Sequence, residues 1–175
     1  MRVLVSVTAA ASIVTFLVVA GSLAGPDKIA YPANYKSQVL YAKSDRPDNK
    51  TIRDLYAPAD VVKQAAAGKP LPNGTVLTME VYKAKVDDKG ELVKDTSGKL
   101  IKGDLSFIGV MEKRSGWGAE YPDSLRNGEW EYAVFETDMK PRANLNTKPC
   151  LECHKPFAAQ DFVFTFSQLV EAGKK

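Results

Sequence analysis

The sequence predicts an α+β fold: an antiparallel β-sheet core, with helices near the N- and C-termini. Three observations predict it. Runs with a period of two recur at 75–86, 105–113 and 129–136; Gly- and Pro-bearing turns separate them; and the helical signals fall mostly toward the two ends. The 175 residues are 45% hydrophobic and 26% charged, which suits one ordinary domain with a full core and shows neither a repeat array nor disorder.

The chain opens with Met1-Arg2, an apolar run from Val3 to Ala20 broken only by Ser and Thr, and then Gly21-Ser22-Leu23-Ala24. A basic start, an apolar middle and small residues at Ser22 and Ala24 describe a secretory signal peptide over 1–24, leaving a domain over 25–175 and a periplasmic location. An uncleaved membrane anchor is the alternative, since the run is nearly long enough to span. A buried core helix fits poorly, because the run has no amphipathic pattern. Loss of Arg2 takes the formal charge from +3 to +2, and the remaining charges alternate along the chain. A nucleic-acid binder would show a basic stripe, and none is present.

Each element follows in turn. Pro32 to Ser44 reads as a short helix with Tyr35, Val39 and Leu40 in one apolar patch, and the following "DRPDNKT" as a loop. "APADVVKQAAAGKP" carries an early Asp, an Ala-rich body and Gly68 then Pro70 as stop signals, so it reads as a helix of roughly two turns. "LPNGT" turns the chain into a strand over 75–86, on which Leu77, Met79 and Val81 share one face while Thr78 and Glu80 share the other. Met79 is therefore expected to point inward. "DDKGELVKDTSGKLIKGD" reads as an exposed hairpin with two Gly-centred turns, 105–113 as a buried strand, "SGWGAEYPDSLRNG" as a long ordered loop and 129–136 as a further strand.

Both cysteines and the only histidine stand within five residues, Cys150-Leu-Glu-Cys153-His154. C-x-x-C-H is the attachment signature of c-type haem. On a helical turn two thiols three residues apart share a face and can both form thioethers at one porphyrin edge, while His154 binds the iron from below. Pro149 is well placed to open that turn. Export would otherwise favour a disulfide or redox pair, but neither requires the adjacent histidine. A zinc site would need carboxylates to complete it. With a single histidine, the sixth iron position falls to a Met, a Lys, water, an exogenous ligand or nothing.

Beyond the motif, "NYKSQVLY", "DRPDNKTIRDLY", "GKPLPNGTVLTMEVYKAK", "GWGAEYPDSLRNGEWEYAVF" and "CLECHKPFAAQDFVFTF" resemble the cytochrome P-460 family, whose fold is shared by cytochromes c-prime-beta. The resemblance implies a β-rich, usually dimeric, periplasmic protein with one covalent haem bound near the C-terminus and a five-coordinate iron. Within the family, cytochromes P-460 oxidise hydroxylamine and nitric oxide, using a lysine cross-linked to the haem and a distal carboxylate. Cytochromes c-prime-beta lack the cross-link, have an apolar Phe-rich distal pocket, and bind nitric oxide or carbon monoxide. Here Met79 stands in the lysine's place, where a thioether cannot supply the amine. Lys83 lies four residues along, about 13 Å away on an extended strand. Pro156 takes the place of the acid, next to Phe157, and Arg53 matches the family's distal arginine.

Three readings of Met79 stand: core filler, a cap on the open haem face, or a sixth ligand that raises the potential. Arg53 reads either as a surface ion-pair residue or as a cationic donor to a bound ligand. Phe107, Phe157, Phe162 and Phe164 are expected to form apolar walls around the porphyrin, while Trp117, Trp130, Met111 and Met139 are assigned to packing and loops. The expected function is binding of a small nitrogen-oxide or diatomic gas ligand at the open face. The alternatives are electron transfer with a Met sixth ligand, served by a redox partner protein, and hydroxylamine or nitric oxide oxidation, which Met79 disfavours. A homodimer is implied by the resemblance, and membrane contact only by an uncleaved leader.

Overall fold

Five strands follow one another in chain order across one antiparallel sheet: β1 (Val39–Arg46), β2 (Thr51–Ala57), β3 (Val76–Ala84), β4 (Lys102–Lys113) and β5 (Trp130–Phe135). The computed structural model describes residues 28–175, so the expected leader over 1–24 lies outside the described residues. Helix α1 (Ala59–Gln64) joins β2 to β3, and α2 (Lys148–His154) and α3 (Phe166–Ala172) close the chain. The architecture is α+β, as the alternation of the strands predicts.

One expectation is overturned. The helix expected over Pro32–Ser44 is a short 3-10 turn, Tyr35–Ser37, followed by β1. β1 runs antiparallel to β2 from Val39↔Ala57 to Arg46↔Thr51, so the segment expected to be a loop is a hairpin turn built on Pro47–Asn49. Lys50 closes it with a left-handed backbone, φ 53. Cross-strand hydrogen bonds decide the outcome, since the apolar spacing of Tyr35, Val39 and Leu40 suits either element.

The sheet is covered on both faces, and its side-chain alternation sorts two cores. Leu77, Met111, Trp130 and Tyr132 face α1, α2 and α3, meeting Val61, Val62, Leu151, Phe166 and Leu169. Ile108, Val110, Ala133 and Phe135 face the opposite way, against Ile29, Tyr31 and Trp117. Thr78 and Glu80, expected on the side of β3 away from Met79, are also buried. Glu80 is kept there by hydroxyls donated from Tyr35 at 2.7 Å, Tyr56 at 2.9 Å and Tyr82 at 2.8 Å. Burial alone would raise its pKa, but the three donors and Lys36 outweigh burial and hold the carboxyl below its ordinary range.

The excursion between β3 and β4 is the expected exposed hairpin, with isolated bridges Val86↔Leu92 and Lys94↔Leu100. Asp87 and Asp95 each accept the backbone N–H groups two and four residues on, which fixes both Gly-bearing turns. Helix α3 was not anticipated from "DFVFTF"; it forms because Phe166 and Leu169 bury against α1 and the sheet.

Candidate functional site

Helix α2 begins with Lys148-Pro149, where the missing proline N–H is an orphan in any case, and it carries the cysteines and His154 to one wall of a cavity of about 330 Å³. The other wall is the α2-facing side of the sheet. Leu55 pairs with Met79 and Met79 with Gly109, while Arg53 pairs with Val81 and Val81 with Phe107. The register therefore brings Arg53, Leu55, Met79, Phe107 and Gly109 into one lining. Cys150 is half-buried and Cys153 exposed, and both thiols are free. Burial raises the pKa of the Cys150 thiol.

The imidazole of His154 is oriented from two sides. Its Nδ1 lies 2.7 Å from the carbonyl oxygen of Phe162, which accepts a hydrogen from that nitrogen and leaves Nε2 bearing a lone pair. Its ring packs at 4.8 Å from that of Tyr132. Tyr132 is held in turn by Asn127, whose amide donates to the Tyr132 hydroxyl at 2.8 Å and to the Leu151 carbonyl inside α2 at 3.1 Å. Burial, above all, lowers the pKa of His154; Phe162 opposes this and Arg53 adds to it. A neutral imidazole with one committed nitrogen is the state a metal ligand needs.

Arg53 lines the cavity, and its buried Nε has no hydrogen-bond partner among the described residues. Burial first, then repulsion from Arg46, pulls its pKa down. Arg46 also lines the cavity, with its guanidinium clamped on Asp48 at 2.9 and 2.7 Å. Arg46, Ser44 and Tyr41 belong to the lining because β1 is a strand, and sequence reasoning missed them with it. No lysine, aspartate or glutamate belongs to the lining among the described residues.

Met79 lies in the lining as expected of an inward residue, with its methyl where a side chain on Gly109 would go: a Cβ there would lie 3.1 Å from Met79 Cε. Lys83 is exposed on β3 and lies outside the lining. Of the four phenylalanines, Phe107 and Phe164 line the cavity, Phe164 half exposed at 50%. Phe157 does not, packing instead at 4.5 Å from Phe164. Phe162 packs on the sheet-side core, and Pro156 is exposed outside the lining. Trp130 is fully buried, Trp117 packs on the far face, Met111 joins the core and the cavity wall, and Met139 is exposed in a turn.

These residues fit a haem. The cavity is of ligand-site size and largely apolar; two thiols at helical spacing and a pre-oriented imidazole line one wall; and an orphaned guanidinium nitrogen lies within it. A search of curated proteins finds no match to the chain. A profile of the family described as Cytochrome P460 matches residues 32–165, well over half of the chain and inclusive of every strand and of the C-x-x-C-H motif. The chain belongs to the cytochrome P460 family, which makes it a c-type cytochrome with haem as its cofactor.

Proposed function

We propose that this protein is an exported monohaem cytochrome, anchored to haem through Cys150 and Cys153 and ligated by His154, that binds a small gaseous or nitrogen-oxide ligand at its open distal face. When bound, the haem supplies an iron centre for a diatomic or nitrogen-oxide ligand. The observation that carries the reading is the makeup of the wall across from α2: Leu55, Met79, Phe107 and Gly109 are apolar, and the charged groups there are Arg53 and Arg46. An apolar wall with a cation favours a small ligand that is neutral or carries partial negative charge.

The residues divide the work. Phe162 O holds the Nδ1 hydrogen of His154 and so keeps Nε2 free. Asn127 and Tyr132 fix the helix and the ring against which the imidazole rests. Arg53 offers guanidinium hydrogens to a ligand oxygen, and the apolar lining limits water. The oxidase alternative is disfavoured because the wall carries neither the amine nor the carboxylate that the resemblance associates with it.

Electron transfer with Met79 as sixth ligand is the second reading, favoured by the place of Met79 in the lining. Against it, the Met79 methyl lies against Gly109, so the side chain runs along the sheet as part of the wall. The test is the optical spectrum of the purified haem-loaded protein, with and without carbon monoxide, alongside its intact mass. Covalent haem with a ready carbon monoxide complex supports the open site. A ferric sulfur-to-iron band near the red edge, with no carbon monoxide binding, would establish the second reading, and a displaced Soret band on reduction would restore the oxidase.

A further inference from the structure

The carbonyl that orients His154 comes from an unusual stretch of backbone. Asp161 and Phe162 are consecutive non-glycine residues with left-handed conformations, φ 50 and φ 61. That region is unfavourable for L-residues, and most of all for one with a bulky ring, so such a pair persists only where its surroundings hold it.

Asp161 is held by its side chain. Its carboxylate accepts the Lys113 ammonium at 2.9 Å on each oxygen and the Leu71 backbone N–H at 2.8 Å. Lys113 completes the clamp by donating to the Leu71 carbonyl at 3.0 Å. Both side chains are nearly enclosed, at 10% and 11% exposure. The Lys113 backbone is pinned as well, its N–H to Thr75 and its carbonyl to Gly74. Phe162 has its own seat: its N–H reaches the Phe157 carbonyl at 2.8 Å, and a Cβ on Gly128 would come within 3.2 Å of its ring.

A buried ion pair is a weak device for stability, because desolvating both charges offsets most of their attraction, and apolar residues of similar size often do as well. It is a strong device for geometry, since it accepts one arrangement only. The last residue of β4, 48 positions away in sequence, thus sets the backbone whose next carbonyl meets His154 Nδ1 at 2.7 Å.

We infer that Lys113 and Asp161 are positioning residues for the axial histidine: their ion pair imposes the left-handed Asp161-Phe162 backbone and thereby aims the Phe162 carbonyl at His154 Nδ1. The inference rests on the reading of His154 as the iron ligand. A carbonyl accepting from Nδ1 raises the electron donation of the ligating nitrogen, so the clamp tunes the iron from two steps away.

The test uses the mature haem-loaded protein and two variants, Lys113→Met and the milder Lys113→Gln, with Lys113→Arg as the conservative control. The iron–histidine stretching band of the ferrous protein is recorded by resonance Raman spectroscopy, together with the midpoint potential and the melting temperature. The band is expected to move to lower frequency and to broaden in Lys113→Met, less so in Lys113→Gln, with the potential rising in the same order and Lys113→Arg returning toward the parent. Melting temperatures that fall while band and potential stay in place, in whichever of the first two variants accumulates, assign the pair a structural role and overturn the inference. A parent protein with no iron–histidine band overturns it differently, by removing His154 as the ligand.

Discussion

Arg53 and Met79 face one cavity from neighbouring strands, two residues apart in register: Leu55 is the partner of Met79, and Arg53 that of Val81. The pairing sets a cation beside an apolar side chain on the wall across from the cysteine helix. Arg53 Nε is buried without a partner among the described residues, so a ligand oxygen would satisfy a group that they leave unpaired. Hydrogen bonds to charged groups are worth about 1.5–3 kcal/mol, so Arg53→Leu should weaken nitrite or azide binding to the oxidised protein by roughly ten- to hundredfold. Carbon monoxide binding to the reduced protein should change far less. Optical titration of both oxidation states checks the difference, and equal losses for both ligands would remove Arg53 from the site.

The methyl of Met79 fills the space beside Gly109. If Met79 is wall, Met79→Leu keeps volume and apolarity and should leave the visible spectrum and carbon monoxide affinity unchanged. A variant that gains carbon monoxide binding absent from the parent would identify the sulfur as the ligand that had blocked it.

Glu80 accepts three tyrosine hydroxyls in the core of the far face. Removing the carboxylate strands three phenols at once, so Glu80→Ala should cost roughly 3–5 kcal/mol, whereas Tyr35→Phe should cost only about 1 kcal/mol. Urea unfolding of the two variants gives both values, and a Glu80→Ala loss no larger than that of Tyr35→Phe would mean the cluster is not cooperative.

Glu131, fully buried on β5, is pushed up to about 7 from an ordinary 4.5, chiefly by burial and further by Glu120, with the hydroxyl of Tyr121, 2.9 Å away, and Lys28 pulling the other way. The folded state therefore holds a proton that the unfolded chain releases near pH 4.5, so this group makes stability fall as pH rises from about 4.5 to about 7. The span is worth about 3 kcal/mol at most. Glu131→Gln should flatten that slope in denaturant unfolding measured across the same range, and an unchanged slope would assign it to other groups.

Much of the sheet is legible in the sequence because β3, β4 and β5 are buried runs bounded by Gly-bearing turns, and side-chain alternation states their faces directly. The β1–β2 hairpin is not legible, for a physical reason. "TIRDLY" places Arg53 on one face and Asp54 on the other, so neither face is wholly apolar and alternation does not mark it as a core strand. In the fold Arg53 faces the cavity, while Asp54 is buried and paired with Lys102 from β4. Partners so far apart in sequence leave no local signature. Ser44 and Arg46 are missed with the same strand, since a helix ending at Ser44 and a loop after it offer them no common wall.

The sequence by itself determined the kind of chemistry: the cysteine spacing and the adjacent lone histidine are covalent facts, local to five residues, and they leave one axial position without a histidine. Only the tertiary structure decided what surrounds that histidine and what faces it. The Phe162 carbonyl, the Tyr132 ring, the Lys113–Asp161 clamp and the wall of Arg53, Met79 and Gly109 come from separate elements. Strand register and buried pairing bring them together, and both are properties of contacts between residues distant in the chain.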